Sequence, residues 1–172
     1  MTDPSLDERV AVLEGELEVR RRFAPFARLY GPMAVVSLAL SFLPVLGDAK
    51  GEDGLEWTYG TLWQMAGRGS GNPAVLGVLI LGSLVVLLVV ATVGVRSTKL
   101  PVAIAAHAAV LLLMLLAKPG TADPAPPLTD AGVADVAVLT AVVVTAVTHA
   151  ARMERWKAEL SAGAQVRPSG GK

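Results

Sequence analysis

Residues 73–95 read PAVLGVLILGSLVVLLVVATVGV, 23 positions without a charged side chain. At 1.5 Å rise per residue such a helix is about 35 Å long, enough to cross a hydrocarbon core of about 30 Å. Its polar side chains are Ser83 and Thr92. A helix buried in a water-soluble bundle keeps a polar stripe toward solvent. This stretch has none, so it is built for lipid.

Three more apolar blocks flank it, at about 29–46, 100–117 and 131–150. Pro32 and Pro44 lie near the two ends of the first. Pro101 opens the third, in the first helical turn, where its missing N–H costs nothing. The expected fold is all-α: a polytopic four-helix transmembrane bundle preceded by a short cytoplasmic amphipathic or coiled-coil helix. Residues 1–28 form that N-terminal segment, 29–150 the four-span domain with outer loops at 47–72 and 118–130, and 151–172 an interfacial helix with a disordered tail.

The composition agrees. Of 172 residues 53% are hydrophobic and 17% charged, the formal net charge is zero, and the mean hydropathy is +0.55. The absence of Cys excludes a disulfide scaffold, a thiol enzyme and a Cys-ligated metal site, and the balanced charge argues against a nucleic-acid partner. Residues 1–22 are polar and no small-residue cleavage site follows the first block, so that block reads as a retained span and not a signal peptide.

Lys and Arg positions set an orientation. With both termini inside, the inner side holds Arg9, Arg20, Arg21, Arg22, Arg28, Arg96, Lys99, Arg152, Arg155, Lys157, Arg167 and Lys172, against Lys50, Arg68 and Lys118 outside. The positive-inside rule then predicts cytoplasmic termini in a bacterial plasma membrane.

Ahead of the spans, Ser5 and Glu8 have capping-box spacing, which predicts a helix start. Leu6, Val10, Leu13 and Leu17 recur at intervals of four, three and four, a seam of period near 3.5. With Leu6 at heptad position d, Arg9 and Glu16 fall at g and Glu14 and Arg21 at e, so each g residue faces an opposite charge in a parallel copy. Gly15 falls at the exposed f position, at a helix-propensity cost of about 1 kcal/mol. Two heptads alone are marginal, but tethering to spans that already meet raises their effective concentration. Self-association, docking of another membrane protein, and an amphipathic helix on the inner leaflet, favoured by the Arg20–Arg22 run, all fit.

The outer loop 47–72 is long enough to carry structure. Its acidic part, with Asp48, Glu52, Asp53 and Glu56, lacks the spacing and the fixed Gly of a calcium loop. Leu55, Trp57 and Tyr59 alternate as in a strand, whereas Leu55, Tyr59, Leu62, Trp63 and Ala66 would share a helix face; the window is too short to choose. Trp57, Tyr59 and Trp63 suit either an interfacial anchor or a partner-binding surface.

Two ionisable residues fall within spans. His107 lies about seven residues into the third and Asp135 about five into the fourth, which places them at depths roughly 9 Å apart. Such residues are candidates for an ion or proton path. The plainer reading is a neutral His107 bonded to a nearby carbonyl and an Asp135 hydrated at the outer headgroups. Small residues at Ala137, Ala141 and Thr145, and at Ala105 and Ala109, predict packing of the third span on the fourth.

Pro119 to Asp130, with Pro124, Pro126 and Pro127, reads as an extended connection, and Thr129 or Asp130 can cap the fourth span. That helix should emerge with Arg152, Arg155, Trp156 and Lys157 at the inner interface. From Gly163 the tail has no apolar seam.

No Walker loop, dinucleotide fingerprint, H-E-x-x-H or G-x-S-x-G occurs, and Gly67, Gly69 and Gly71 lack the flanking elements of a phosphate cradle. No cofactor or metal is expected, and no enzyme. The plan of a short heptad segment, an Arg cluster and four spans, with Leu43-Pro44 ending the first span and Gly60-Thr61-Leu62-Trp63-Gln64 ahead of the second, resembles small uncharacterised four-span proteins of actinobacteria. That resemblance implies an inner-membrane protein and no particular activity. The Trp57 to Trp63 stretch also resembles the first-loop signature of claudins, but without that family's paired Cys. The expectation is a homo-oligomeric accessory or scaffold protein that presents its aromatic outer loop to a partner. The rival expectation is a small transporter or channel using His107 and Asp135.

Overall fold

The computed structural model describes residues 6–50, 56–57, 59–68, 73–93, 97–117 and 126–165. Its elements are α1 (Leu6–Leu40), β1 (Ala49–Lys50), β2 (Glu56–Trp57), α2 (Leu62–Gly67), α3 (Pro73–Thr92), α4 (Lys99–Leu116) and α5 (Asp130–Gln165). Four helices are long and apolar enough to cross a membrane: α3, α4, the Arg21–Leu40 part of α1 and the Asp130–Ala162 part of α5.

The first span differs from its expected bounds of 29–46. No break separates the N-terminal helix from it: α1 is one helix of 35 residues that passes through Pro25 and Pro32. It stops at Leu40 because Pro44 has no N–H to donate and disfavours helical backbone at Leu43. At the other end Phe23, Phe26 and Tyr30 bury one face of the turns assigned to a polar segment, which draws the apolar helix back toward Arg21. Helix α5 likewise runs unbroken from the fourth span to Gln165, so Gly163 to Gln165 are helical and not tail. Residues 166–172, the Ser5 cap, Glu52, Asp53, Leu55, Gly69, Gly71 and the stretch 118–125 lie outside the described residues.

The four long helices form a ring in which α1 packs on α3 and α5, and α4 fills the gap between those two. Neighbours alternate in direction: Arg22 of α1 meets Glu159 of α5, Lys157 of α5 meets Thr98 at the start of α4, and Gly77 near the start of α3 faces Met114 near the end of α4. The interior holds Tyr30, Ala34, Ser37, Leu84, Leu88, Ile104, Ala108, Val142 and Ala146. Larger apolar side chains point outward on every helix, among them Val35, Leu79, Val86, Val102, Leu113 and Val144. Small residues between helices and Leu or Val outside is the arrangement that packing in lipid favours. Three hydroxyls on that outer surface bond to their own helix: Ser83 to Leu79 O, Thr92 to Val89 O and Thr140 to Val136 O. No lipid-facing donor among these three is left unmatched, as a medium without water requires.

Helices α4 and α5 do pack together, but the α5 stripe is only partly used. Ala137 and Ala141 are exposed and Thr145, Ala105 and Ala109 half-buried, with Ala105 packed on the core, whereas Leu139, Val142, Ala146, His149 and Met153 are buried. Their spacing of three and four is the interior face, and larger residues there fill the space between helices that the Ala stripe would have closed by approach.

The loop end of the ring is fastened by backbone. Gly47 N donates to Pro127 O at 2.8 Å and Thr129 N to Val45 O at 3.1 Å, while Pro44 pairs with Thr61 and Leu46 with Leu128. Thr129 Oγ1 accepts from Gly132 N at 3.1 Å, so Thr129 caps α5 as the sequence suggested. The aromatic loop uses both predicted conformations in turn. Trp57 pairs with Ala49 in a two-residue antiparallel ladder, and α2 follows behind a capping box in which Gln64 N donates to Thr61 Oγ1 and Thr61 N to Gln64 Oε1. Gly60 reaches that box with φ +73°, a conformation glycine adopts without strain.

Candidate functional site

The densest cluster of chemistry lies at the opposite end, between α1 and α5. Phe23, Phe26 and Tyr30 sit at i, i+3 and i+7 on α1, and His149, Met153 and Trp156 at i, i+4 and i+7 on α5, so each triplet lies on one helix face. The two faces meet. The His149 ring stacks on Phe26 at 4.5 Å between centroids and 4° between planes. Phe23 lies 5.4 Å and Tyr30 5.7 Å from the same ring, and Trp156 meets Phe23 edge-on at 6.0 Å. The guanidinium of Arg152 covers the outer face of this stack, 5.5 Å from the Phe26 centroid.

Inside the aromatic shell a hydrogen bond of 2.9 Å joins the Tyr30 hydroxyl to His149 Nδ1. Tyr30 is 0% and His149 3% exposed, so neither can turn to water. His149 Nε2 is buried without a hydrogen-bond partner. With the hydroxyl donating to Nδ1, a neutral imidazole carries its proton on that unpartnered Nε2. A polar pair packed against Phe23 and Phe26 can hold two helices in register. Its shared proton lies between two side chains of the protein itself.

Sequence reasoning missed this site. Its signal was present as two aromatic stripes of helical period, but they are 119 positions apart at Tyr30 and His149. The intramembrane residues it selected are not brought together. His107 is partly buried and its Nδ1–H donates to Ala103 O, one turn back, at 2.8 Å, the plainer of the two expected arrangements. Asp135 is also partly buried, and no hydrogen bond or ion pair reaches it among the described residues. Among those residues no three of His, Asp and Glu are grouped to hold a metal.

The seam residues Leu6, Val10, Leu13 and Leu17 are all exposed, at 80, 44, 58 and 57%, and so are Glu14 and Arg21. The side chains of Arg9 and Glu16 lie outside the described residues, as does that of Trp57. Tyr59 is half-buried. Trp63 is engaged within the protein: its Nε1–H donates to Ser41 Oγ at 2.9 Å and its ring stacks on Phe42 at 5.5 Å. Trp156 is turned inward onto Phe23.

No protein-family description, curated protein or solved structure matches this chain.

Proposed function

We propose that the protein is a non-enzymatic scaffold of the bacterial plasma membrane, with both termini in the cytoplasm, that associates with copies of itself through the N-terminal extension of α1. The observation that carries this reading is the exposed seam of Leu6, Val10, Leu13 and Leu17 on a helix continuous with a membrane span.

Two features of geometry support it. Arg22 lies beside Glu159; α5 ends six residues past Glu159, and α1 begins sixteen residues before Arg22. At 1.5 Å per residue α1 therefore outruns its neighbour by about 15 Å. In addition, the seam is turned about 125° around the helix axis from the face that Phe23, Phe26, Tyr30 and Ala34 present to the protein's own core, at about 100° per residue. A second copy can cover the seam without displacing any contact inside the protomer. Glu14 and Arg21 flank the seam on the side that a parallel copy's g positions would face.

Leu13→Asp tests the reading. Loss of a packed Leu costs about 2–5 kcal/mol, more than two heptads hold in reserve. Light scattering of the detergent-solubilised protein should show an oligomer for the parent and the mass of one chain for the variant. A parent that is monomeric, or an unchanged mass in Leu13→Asp, overturns the proposal.

A further inference from the structure

Between α1 and α5, immediately outside the aromatic cluster, lies an open pocket of about 250 Å³ lined by Arg22, Phe23, Arg152, Arg155, Trp156 and Glu159. Three guanidinium groups and one carboxylate leave it with two positive charges in excess. Glu159 approaches Arg22 alone, at 3.7 Å. Arg152 rests on the Phe26 ring, and Arg155 has no hydrogen bond or ion pair among the described residues.

We propose that this pocket binds the phosphate of an anionic phospholipid headgroup. Its chemistry suits that group: arginine forks pair with phosphate oxygens two at a time, and Arg152 and Arg155 form no ion pair among the described residues. The guanidinium of Arg152 lies 5.5 Å from the Phe26 centroid, and a contact with a ring uses none of the hydrogen-bonding capacity that an anion needs.

The size also fits. Pockets for drug-sized molecules start at about 300 Å³, whereas this one holds a phosphate and the first atoms of its glycerol. Its position favours a lipid over a free anion. Arg22 stands at the start of the apolar part of α1, Trp156 and Phe23 supply apolar lining, and the pocket is open to the outside of the protein. A headgroup can enter there while its acyl chains lie along the exposed Val and Leu of the helices. Basic pockets between helices at the cytoplasmic interface are sites where anionic headgroups collect.

The test is thermal unfolding of the full chain in neutral detergent with added phosphatidylglycerol, phosphatidylcholine or inorganic phosphate. Phosphatidylglycerol should raise the midpoint, and the other two should not. Arg155→Gln, at an exposed position without a hydrogen bond or ion pair among the described residues, should weaken the apparent phosphatidylglycerol affinity about five-fold, and Arg152→Gln should do so too. Lys157→Gln removes an equal charge one position from Trp156, but on the side facing Thr98, and should leave the affinity unchanged. An equal response to phosphatidylcholine or to inorganic phosphate, an unaltered affinity in Arg155→Gln, or the same loss in Lys157→Gln would overturn the proposal.

Discussion

Gly132→Ala is expected to destabilise the protein by about 1–3 kcal/mol, the usual range for a side chain forced into a closed space. It is the first buried turn of α5, pressed against the loop that leaves α1. A methyl group built there collides with the carbonyl oxygen of Val45 and meets Leu128 at 3.1 Å. Neither neighbour can yield cheaply. Val45 O already accepts from Thr129 N at 3.1 Å and from Thr129 Oγ1 at 3.2 Å, so moving it disturbs the cap of α5 as well as the ladder that closes the loop end. Gly82→Ala supplies the contrast. Gly82 lies mid-helix on α3 with nothing within 4 Å of the added carbon, so the same substitution should be neutral or stabilise by up to about 1 kcal/mol through helix propensity. Unfolding midpoints in one detergent decide the matter, and equal midpoints for the two variants would refute the close approach.

The contrast between these glycines marks what a sequence can and cannot disclose. The spans were legible because lipid imposes a one-dimensional rule: 18 or more residues must all be apolar, and no partner needs to be known. The cap at Thr129 was legible for the same local reason. The start of the first span was not, since Arg20 to Arg22 and Arg28 read as a polar segment, whereas Phe23, Phe26 and Tyr30 bury the opposite face of the same turns. A charge run describes one side of a helix and says nothing of the other. The Ala137 and Ala141 stripe failed differently. Small residues permit close approach but do not demand it, and in an Ala-rich helix the interior went to the face with Leu139, Val142 and His149. Pairwise facts, such as which ring lies on His149 or which carbonyl faces Gly132, depend on segments 85 or more positions apart and have no local signature.

The histidine cluster also bears on how the two ends of the molecule relate. Backbone ladders tie the loop end, whereas at the arginine end the side chains of Phe23, Phe26, Tyr30 and His149 join α1 to α5, and the seam-bearing extension of α1 begins there.

A double-mutant cycle on Tyr30 and His149 should expose the energetics of that stack. Tyr30→Phe leaves both ring nitrogens of His149 without a partner in a site closed to water, and His149→Phe leaves the Tyr30 hydroxyl unmatched; each orphaned group costs about 1–3 kcal/mol. The double variant has no polar atom of the pair left to satisfy and keeps three aromatic rings against the one at position 149, so its stability should return to within about 1 kcal/mol of the parent. The coupling between the two sites is then nearly as large as the two single effects together. Measured unfolding free energies that simply add would mean the 2.9 Å contact contributes nothing beyond its two separate side chains. A double variant that is stable yet loses the parent's oligomeric state would show that the hydrogen bond fixes the angle of α1 and not the strength of its packing.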